Sequence, residues 1–135
     1  MATRRELAAL PGSAGNTALL FGIWCVTFSP DGQTLAVGNE DGSVMLWSVS
    51  TRKLSGTLKG TAGRIYSIAF PPDGRTLVTA NQNAPGLWHL ATGQEMASLR
   101  GHQSAVESVA FSPDGLVLAS ASGDKTVRLW RAAPR

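Results

Sequence analysis

Reactive side chains are scarce in this chain. Its 135 residues contain one cysteine, Cys25, and two histidines, His89 and His102. A single thiol excludes an internal disulfide framework and any Cys-x-x-Cys metal site, which fits a reducing compartment such as the cytoplasm. Cys25 is expected to pack as a small apolar residue. No carboxylate pair stands in an acid–base context and no glycine-rich phosphate loop is present, so neither catalytic residues, a metal nor a cofactor is predicted. Basic runs are missing too. The formal net charge is +3, but lysines and arginines stand singly or in pairs without interleaved aromatics, which argues against nucleic acid as a partner. No apolar run reaches the ~18 residues of a membrane span. Arg4-Arg5 ahead of Ala18-Leu19-Leu20-Phe21-Gly22-Ile23-Trp24 has the outline of a secretion leader, but Glu6, Pro11 and Asn16 interrupt it and no Ala-x-Ala site follows. Convincing helical periodicity is absent as well.

What the chain does have is repetition. At 43% hydrophobic and 16% charged it has the composition of one globular domain. Phe28-Ser29-Pro30-Asp31-Gly32, Phe70-Pro71-Pro72-Asp73-Gly74 and Phe111-Ser112-Pro113-Asp114-Gly115 recur at spacings of 42 and 41 residues. Leu46-Trp47, Leu87-Trp88 and Leu129-Trp130 recur at 41 and 42. Thr51 to Gly60 aligns without gaps with Thr92 to Gly101, and also with Thr3 to Gly12. The apparent leader is therefore a piece of the repeat.

Each unit carries the marks of short strands. In the third, Val106, Val109 and Phe111 begin one strand. Ser-Pro-Asp-Gly then sets proline where φ near −65° suits a tight turn and glycine where a positive φ is wanted. Leu116 to Ser122 forms a second strand, Gly123-Asp124-Lys125 a second turn, and Thr126 to Trp130 a third strand with period-2 alternation. The Thr-to-Gly string supplies a fourth.

Four short antiparallel strands repeating near 41 residues, with Gly101-His102 before the first and Trp130 closing the third, resemble the WD-repeat β-propeller family. The family's naming dipeptide is absent, because Trp47-Ser48, Trp88-His89 and Trp130-Arg131 all lack its aspartate. The expected fold is all-β: three blades of four antiparallel strands in permuted register. Residues 1–12 give an outer strand that completes a last blade, 13–60 repeat 1, 61–101 repeat 2, and 102–135 repeat 3 without its outer strand. Propellers usually close with about 4 to 8 blades. Three blades per chain therefore imply either a segment of a longer protein or a ring of copies; a dimer giving six blades is favoured over a trimer giving nine.

The resemblance also assigns roles. His102, Ser122, Asp124 and Trp130 match the family's hydrogen-bonded structural tetrad, which satisfies polar groups buried between blades. Read without the resemblance, Ser122, His102 and Asp124 are the side-chain types of a nucleophilic triad, but Ser122 stands in no nucleophile-elbow sequence. Repeat 1 offers Leu19, Asn39, Asp41 and Trp47 at these positions, and repeat 2 offers Thr61, Ala80, Gln82 and Trp88. Repeat 2 also carries Ala84-Pro85-Gly86 where its siblings continue a strand, so this blade is either distorted to open a site or drifted.

Top-face contact positions of the family fall here on Gly22, Trp24 and Glu40; on Arg64, Tyr66 and Asn81; and on Ala105, Glu107 and Gly123. Trp24 and Tyr66 stand out because aromatics and arginine dominate binding hot spots. Arg64 and Glu107 read equally well as solvated charges, and Trp24 as packing beneath the longer connection at 13–22. The function expected is non-enzymatic binding of a protein or peptide on a propeller face. The alternatives are structural or sensor blades of a larger multidomain protein, and more remotely a hydrolase.

Overall fold

The computed structural model describes residues 5–10, 22–59, 63–82 and 84–131. Eleven strands and no helix occur among them: β1 (Ile23–Phe28), β2 (Thr34–Asn39), β3 (Ser43–Ser48), β4 (Leu54–Lys59), β5 (Ser67–Ala69), β6 (Thr76–Ala80), β7 (Gly86–His89), β8 (Gln94–Ser98), β9 (Val106–Phe111), β10 (Val117–Ser122) and β11 (Val127–Arg131). They pair antiparallel in sequence order as two four-stranded sheets, β1-β2-β3-β4 and β5-β6-β7-β8, and one three-stranded sheet, β9-β10-β11. We call them blades 1, 2 and 3.

The turn chemistry explains the hairpins. Ser29 Oγ donates to Asp31 Oδ1 at 2.6 Å, Asp31 Oδ1 accepts from Gln33 N at 2.9 Å, and Gly32 takes φ +73°. Ser112, Asp114 and Gly115 repeat the arrangement in blade 3. In blade 2, Pro71 replaces the serine, and Asp73 still accepts from Arg75 N while Gly74 N donates to Pro71 O. An exposed carboxylate that accepts a hydroxyl and a backbone N–H is stabilised in its charged form, so Asp31 and Asp114 titrate below the usual carboxylate range.

Alternation gives each blade two apolar faces, and the core lies between blades. Ala36, Val44, Leu46 and Leu58 of blade 1 pack against Ile65, Ile68, Leu77 and Trp88 of blade 2. One repeat later, Ala69, Val78 and Ala80 of blade 2 pack against Val106, Val109 and Leu118 of blade 3, with Leu99 and Trp130 at the margin. Each fully buried Val or Leu contributes about 1.5–3 kcal/mol. Backbone bonds stitch the same joints: Ile65 N donates to Asn39 O at 3.0 Å and Val106 N to Asn81 O at 2.8 Å. Blade 1 approaches blade 2 so closely at Gly38 that a Cβ there would lie 2.6 Å from Cys25 Sγ and 2.7 Å from Ile65 Cγ2. Cys25 is accordingly half-buried, and burial pushes its thiol up to about 11.

The described part of the N-terminal string, residues 5–10, has no strand pairing, because no outer edge of an incomplete blade lies beside it in the single chain. Leu10 still packs on the outward face of blade 1, against Val37, Met45 and Trp47. The Pro85-Gly86 interruption shortens β7 to four residues without breaking the sheet, since Leu99 N donates to Pro85 O at 2.8 Å.

Candidate functional site

Trp24 on β1, Arg64 and Tyr66 just before β5, and Glu40 just after β2 come together across the joint between blades 1 and 2. The Trp24 and Tyr66 rings meet edge-on, with centroids 6.3 Å apart and planes at 68°. The Arg64 guanidinium carbon sits 4.2 Å from the Trp24 ring centroid and 5.9 Å from that of Tyr66. Arg64 Nη2 donates to Glu40 Oε1 at 3.2 Å. Repeat spacing produces the cluster: Trp24 and Tyr66 are 42 residues apart at the same strand position, so neighbouring blades place them side by side.

The cluster remains accessible. Trp24 is 47% exposed, and the Arg64 and Glu40 side chains are about one-third exposed. The connection at 13–22, beneath which Trp24 is alternatively expected to pack, lies outside the described residues except for Gly22. A cation over an aromatic face gains about 0.5–2 kcal/mol, whereas a solvated ion pair gains about 0–1. Stacking thus orients Arg64 more than Glu40 does. The result is a patch of two aromatic rings and a partly exposed guanidinium. Two further predicted contact residues, Glu107 and Asn81, lie elsewhere. Glu107 is exposed on blade 3 beside Gly123. Asn81 is half-buried at the end of β6, where its carbonyl bridges blades 2 and 3.

The second predicted group, the tetrad, forms with one correction. His102 Nδ1 lies 2.9 Å from Asp124 Oδ2, and His102 Nε2 lies 2.7 Å from Ser120 Oγ, not from Ser122. Trp130 Nε1 donates to the same Ser120 Oγ at 2.9 Å. The expected Ser122 instead donates to Ser104 O at 3.1 Å and accepts from Asp124 N at 3.1 Å. Register explains the difference. Leu118 is the partner of Trp130, so the indole reaches the next residue on that face, Ser120. Ser122 lies one step further, past the irregularity at Ala121/Ser122, where its hydroxyl serves the turn.

With Nδ1–H donated to the carboxylate, Nε2 accepts from the serine and the serine accepts from the indole, so every member is satisfied. Ser120 is 1% exposed and the His102 side chain is fully buried. The order Asp–His–Ser is that of a nucleophilic triad, but its hydroxyl is sealed between blades and already engaged by Trp130. Asp124 accepts from the Thr126 hydroxyl, the Gln103 N–H and His102, which together hold its carboxyl well below the usual range.

The same strand position explains the weaker copies. In blade 2, Trp88 Nε1 donates to Thr79 Oγ1 at 3.2 Å. Blade 1 has Val37 there, and Trp47 Nε1 is buried with no partner among the described residues. Thr79 and Ser120 escape a motif count but are visible as the hydroxyl two residues beyond the leucine that opposes each blade tryptophan.

Inter-blade cores, repeated hairpins and a tryptophan-anchored hydrogen-bonded brace define a β-propeller. The family profile described as "WD domain, G-beta repeat" matches residues 12–48, 52–84 and 93–131. The chain belongs to the WD-repeat family. Among solved structures, it is similar to the RRP9 WD40 repeats, with TM-score 0.79 and 24% identity over 84% of this chain and 36% of that one. It is similar to U3-55K, with TM-score 0.79 and 23% identity over 84% and 37%. The Myceliophteria thermophila Cps50 (Swd1) β-propeller domain gives TM-score 0.72 and 28% identity over 79% and 34%. The chain thus spans about a third of the length of these propellers.

Proposed function

We propose that this protein is a non-enzymatic binding platform that takes a protein or peptide on the face carrying Trp24, Arg64, Tyr66 and Glu40. The observation that supports it is the half-exposed Trp24–Arg64–Tyr66 stack, held rigid across a joint of two blades. Hot spots favour aromatic and arginine side chains whose conformational entropy is already spent. WD propellers act typically as scaffolds, and the buried Ser120 suits a brace rather than a nucleophile. Glu107 and Asn81 would contribute at the periphery, on the blade 2–blade 3 side. The platform needs a ring, which copies of the chain can supply: three blades each give six from two chains or nine from three. A reducing compartment such as the cytoplasm suits the lone thiol.

A second reading has its own support. The chain covers only 34–37% of the propellers it resembles, as structural blades of a larger WD-repeat protein would. The test of the first reading is to select peptides from a displayed random library on immobilised protein, then titrate them against variants. Trp24→Ala and Tyr66→Ala should each weaken binding by about tenfold or more. Unchanged affinity in both folded variants would place the binding surface elsewhere.

A further inference from the structure

We propose that the joint between blades 2 and 3 is a binding site for a small amphipathic carboxylate, a medium-chain fatty acid, separate from the Trp24 cluster at the joint of blades 1 and 2. A cavity of about 470 Å³ lies there, inside the range of about 300–1,000 Å³ usual for small-molecule sites. Leu87 and Leu99 of blade 2 form one wall, and Phe111, Leu118 and Trp130 of blade 3 form the other. Arg131 is the one charged side chain of the lining among the described residues.

The sibling joint shows what fills such a space. Between blades 1 and 2, Leu46, Leu58 and Trp88 are buried, whereas their repeat counterparts Leu87, Leu99 and Trp130 are only half-buried. The extra filler is Leu90. It packs against that first cluster, and its N–H donates to Arg75 O at 3.1 Å. Arg75 is the repeat counterpart of Leu116, which lines the cavity. Ala132, outside the described residues, holds the place of Leu90 in the repeat, so a methyl group stands where the sibling has an isobutyl.

The looser packing does not arise at the outer edge of the blade. No residue of β8 belongs to the core between blades 1 and 2, and all five residues of β8 are exposed. A strand in that position on blade 3 would therefore leave the walls of the cavity as they are. Nor can the blades move together to close it, because the inner edge of the joint is pinned along its length. Val106 N donates to Asn81 O at 2.8 Å and Val109 N to Ser67 Oγ at 3.3 Å. At the hairpin end, a Cβ on Gly115 would lie 2.6 Å from Pro72 Cδ. An apolar void held open in this way costs stability, and an apolar ligand that fills it recovers the loss.

The charge at the mouth selects the head group. Leu116 and Arg131 are both exposed, so the cavity opens to solvent between them. Arg131 takes no part in the ion pairs of the described residues, Arg64–Glu40 and His102–Asp124. Asp114, whose carboxylate feels its charge, already accepts from Ser112 Oγ and Leu116 N. A guanidinium in this position can take a ligand carboxylate in two parallel charge-assisted hydrogen bonds. The leucine and aromatic walls bury an alkyl chain. An alkyl body with one anionic head describes a fatty acid.

The test is a calorimetric titration of the full chain with octanoate, and with octanol as its uncharged counterpart. The parent chain should bind octanoate saturably, one per chain. Leu116→Trp, which narrows the mouth, and Leu87→Phe, which fills the cavity from its wall, should each weaken octanoate by about tenfold or more. Arg131→Gln should weaken octanoate by about tenfold and leave octanol within about twofold. Leu116 and Arg131 are exposed, so these two variants keep the test decisive even if Leu87→Phe fails to fold. Absence of saturable binding by the parent chain overturns the proposal. So does octanoate affinity unchanged by Leu116→Trp, which would place the ligand on other apolar surface such as Val127 and Leu129. Equal changes for octanoate and octanol in Arg131→Gln overturn the carboxylate class.

Discussion

A hydroxyl two residues beyond the leucine that opposes each blade tryptophan decides whether the indole N–H is satisfied. Ser120 and Thr79 supply it; Val37 does not. Ser120→Ala strands both Trp130 Nε1 and His102 Nε2 in a buried site, and should cost about 1–3 kcal/mol in urea unfolding. Ser122→Ala breaks only partly exposed turn bonds and should cost less; a larger loss for Ser122→Ala would contradict the assignment of Ser120. Asp124 adds a pH dependence. Its carboxyl is depressed in the folded chain below the ordinary 3.8, so its contribution is fully present above the unfolded value and is lost as pH falls through the folded one. Thermal melts of wild type and Asp124→Asn should therefore differ at pH 7, with the difference shrinking progressively as the pH falls below about 3.8.

At the scale of elements, turns and strands were legible and their exact partners less so. Pro-Asp-Gly at fixed spacing announces the hairpins because glycine and proline act locally. The tetrad serine was misplaced because Ser120 and Ser122 share a strand face, and only the pairing of Leu118 with Trp130 chooses between them. Likewise, the Thr-to-Gly string marks residues 3–10 as strand-competent, yet 5–10 are unpaired in the single chain. A strand exists only where a neighbouring edge accepts its backbone. Gly38 is a second case, since nothing local demands glycine there and only the approach of Cys25 and Ile65 does. Gly38→Ala should lower stability by about 1–3 kcal/mol through overpacking; a neutral effect on the denaturation midpoint would mean that the joint relaxes freely.

For the whole molecule, the outward faces of blades 1 and 3 govern behaviour. Apolar side chains such as Phe28, Val127 and Leu129 are more than half exposed in the single chain, a pattern that marks interaction surfaces. If copies cover these faces, stability becomes inseparable from concentration. The midpoint of thermal unfolding should then rise as the protein is concentrated, and Leu129→Lys should abolish the rise; a midpoint independent of concentration would contradict closure by copies.

The sequence by itself determined the repeat, its strand count, its turns and its family, because these rest on local backbone preference and on a period visible three times over. It also brought Trp24 and Tyr66 to equivalent positions. Only the tertiary structure decided that Arg64 lies over the Trp24 ring, that Ser120 rather than Ser122 joins His102 to Trp130, and that Leu10 already sits against Trp47. Those outcomes depend on strand register within a blade and on which side chains meet across a joint of two blades, neither of which a local preference encodes.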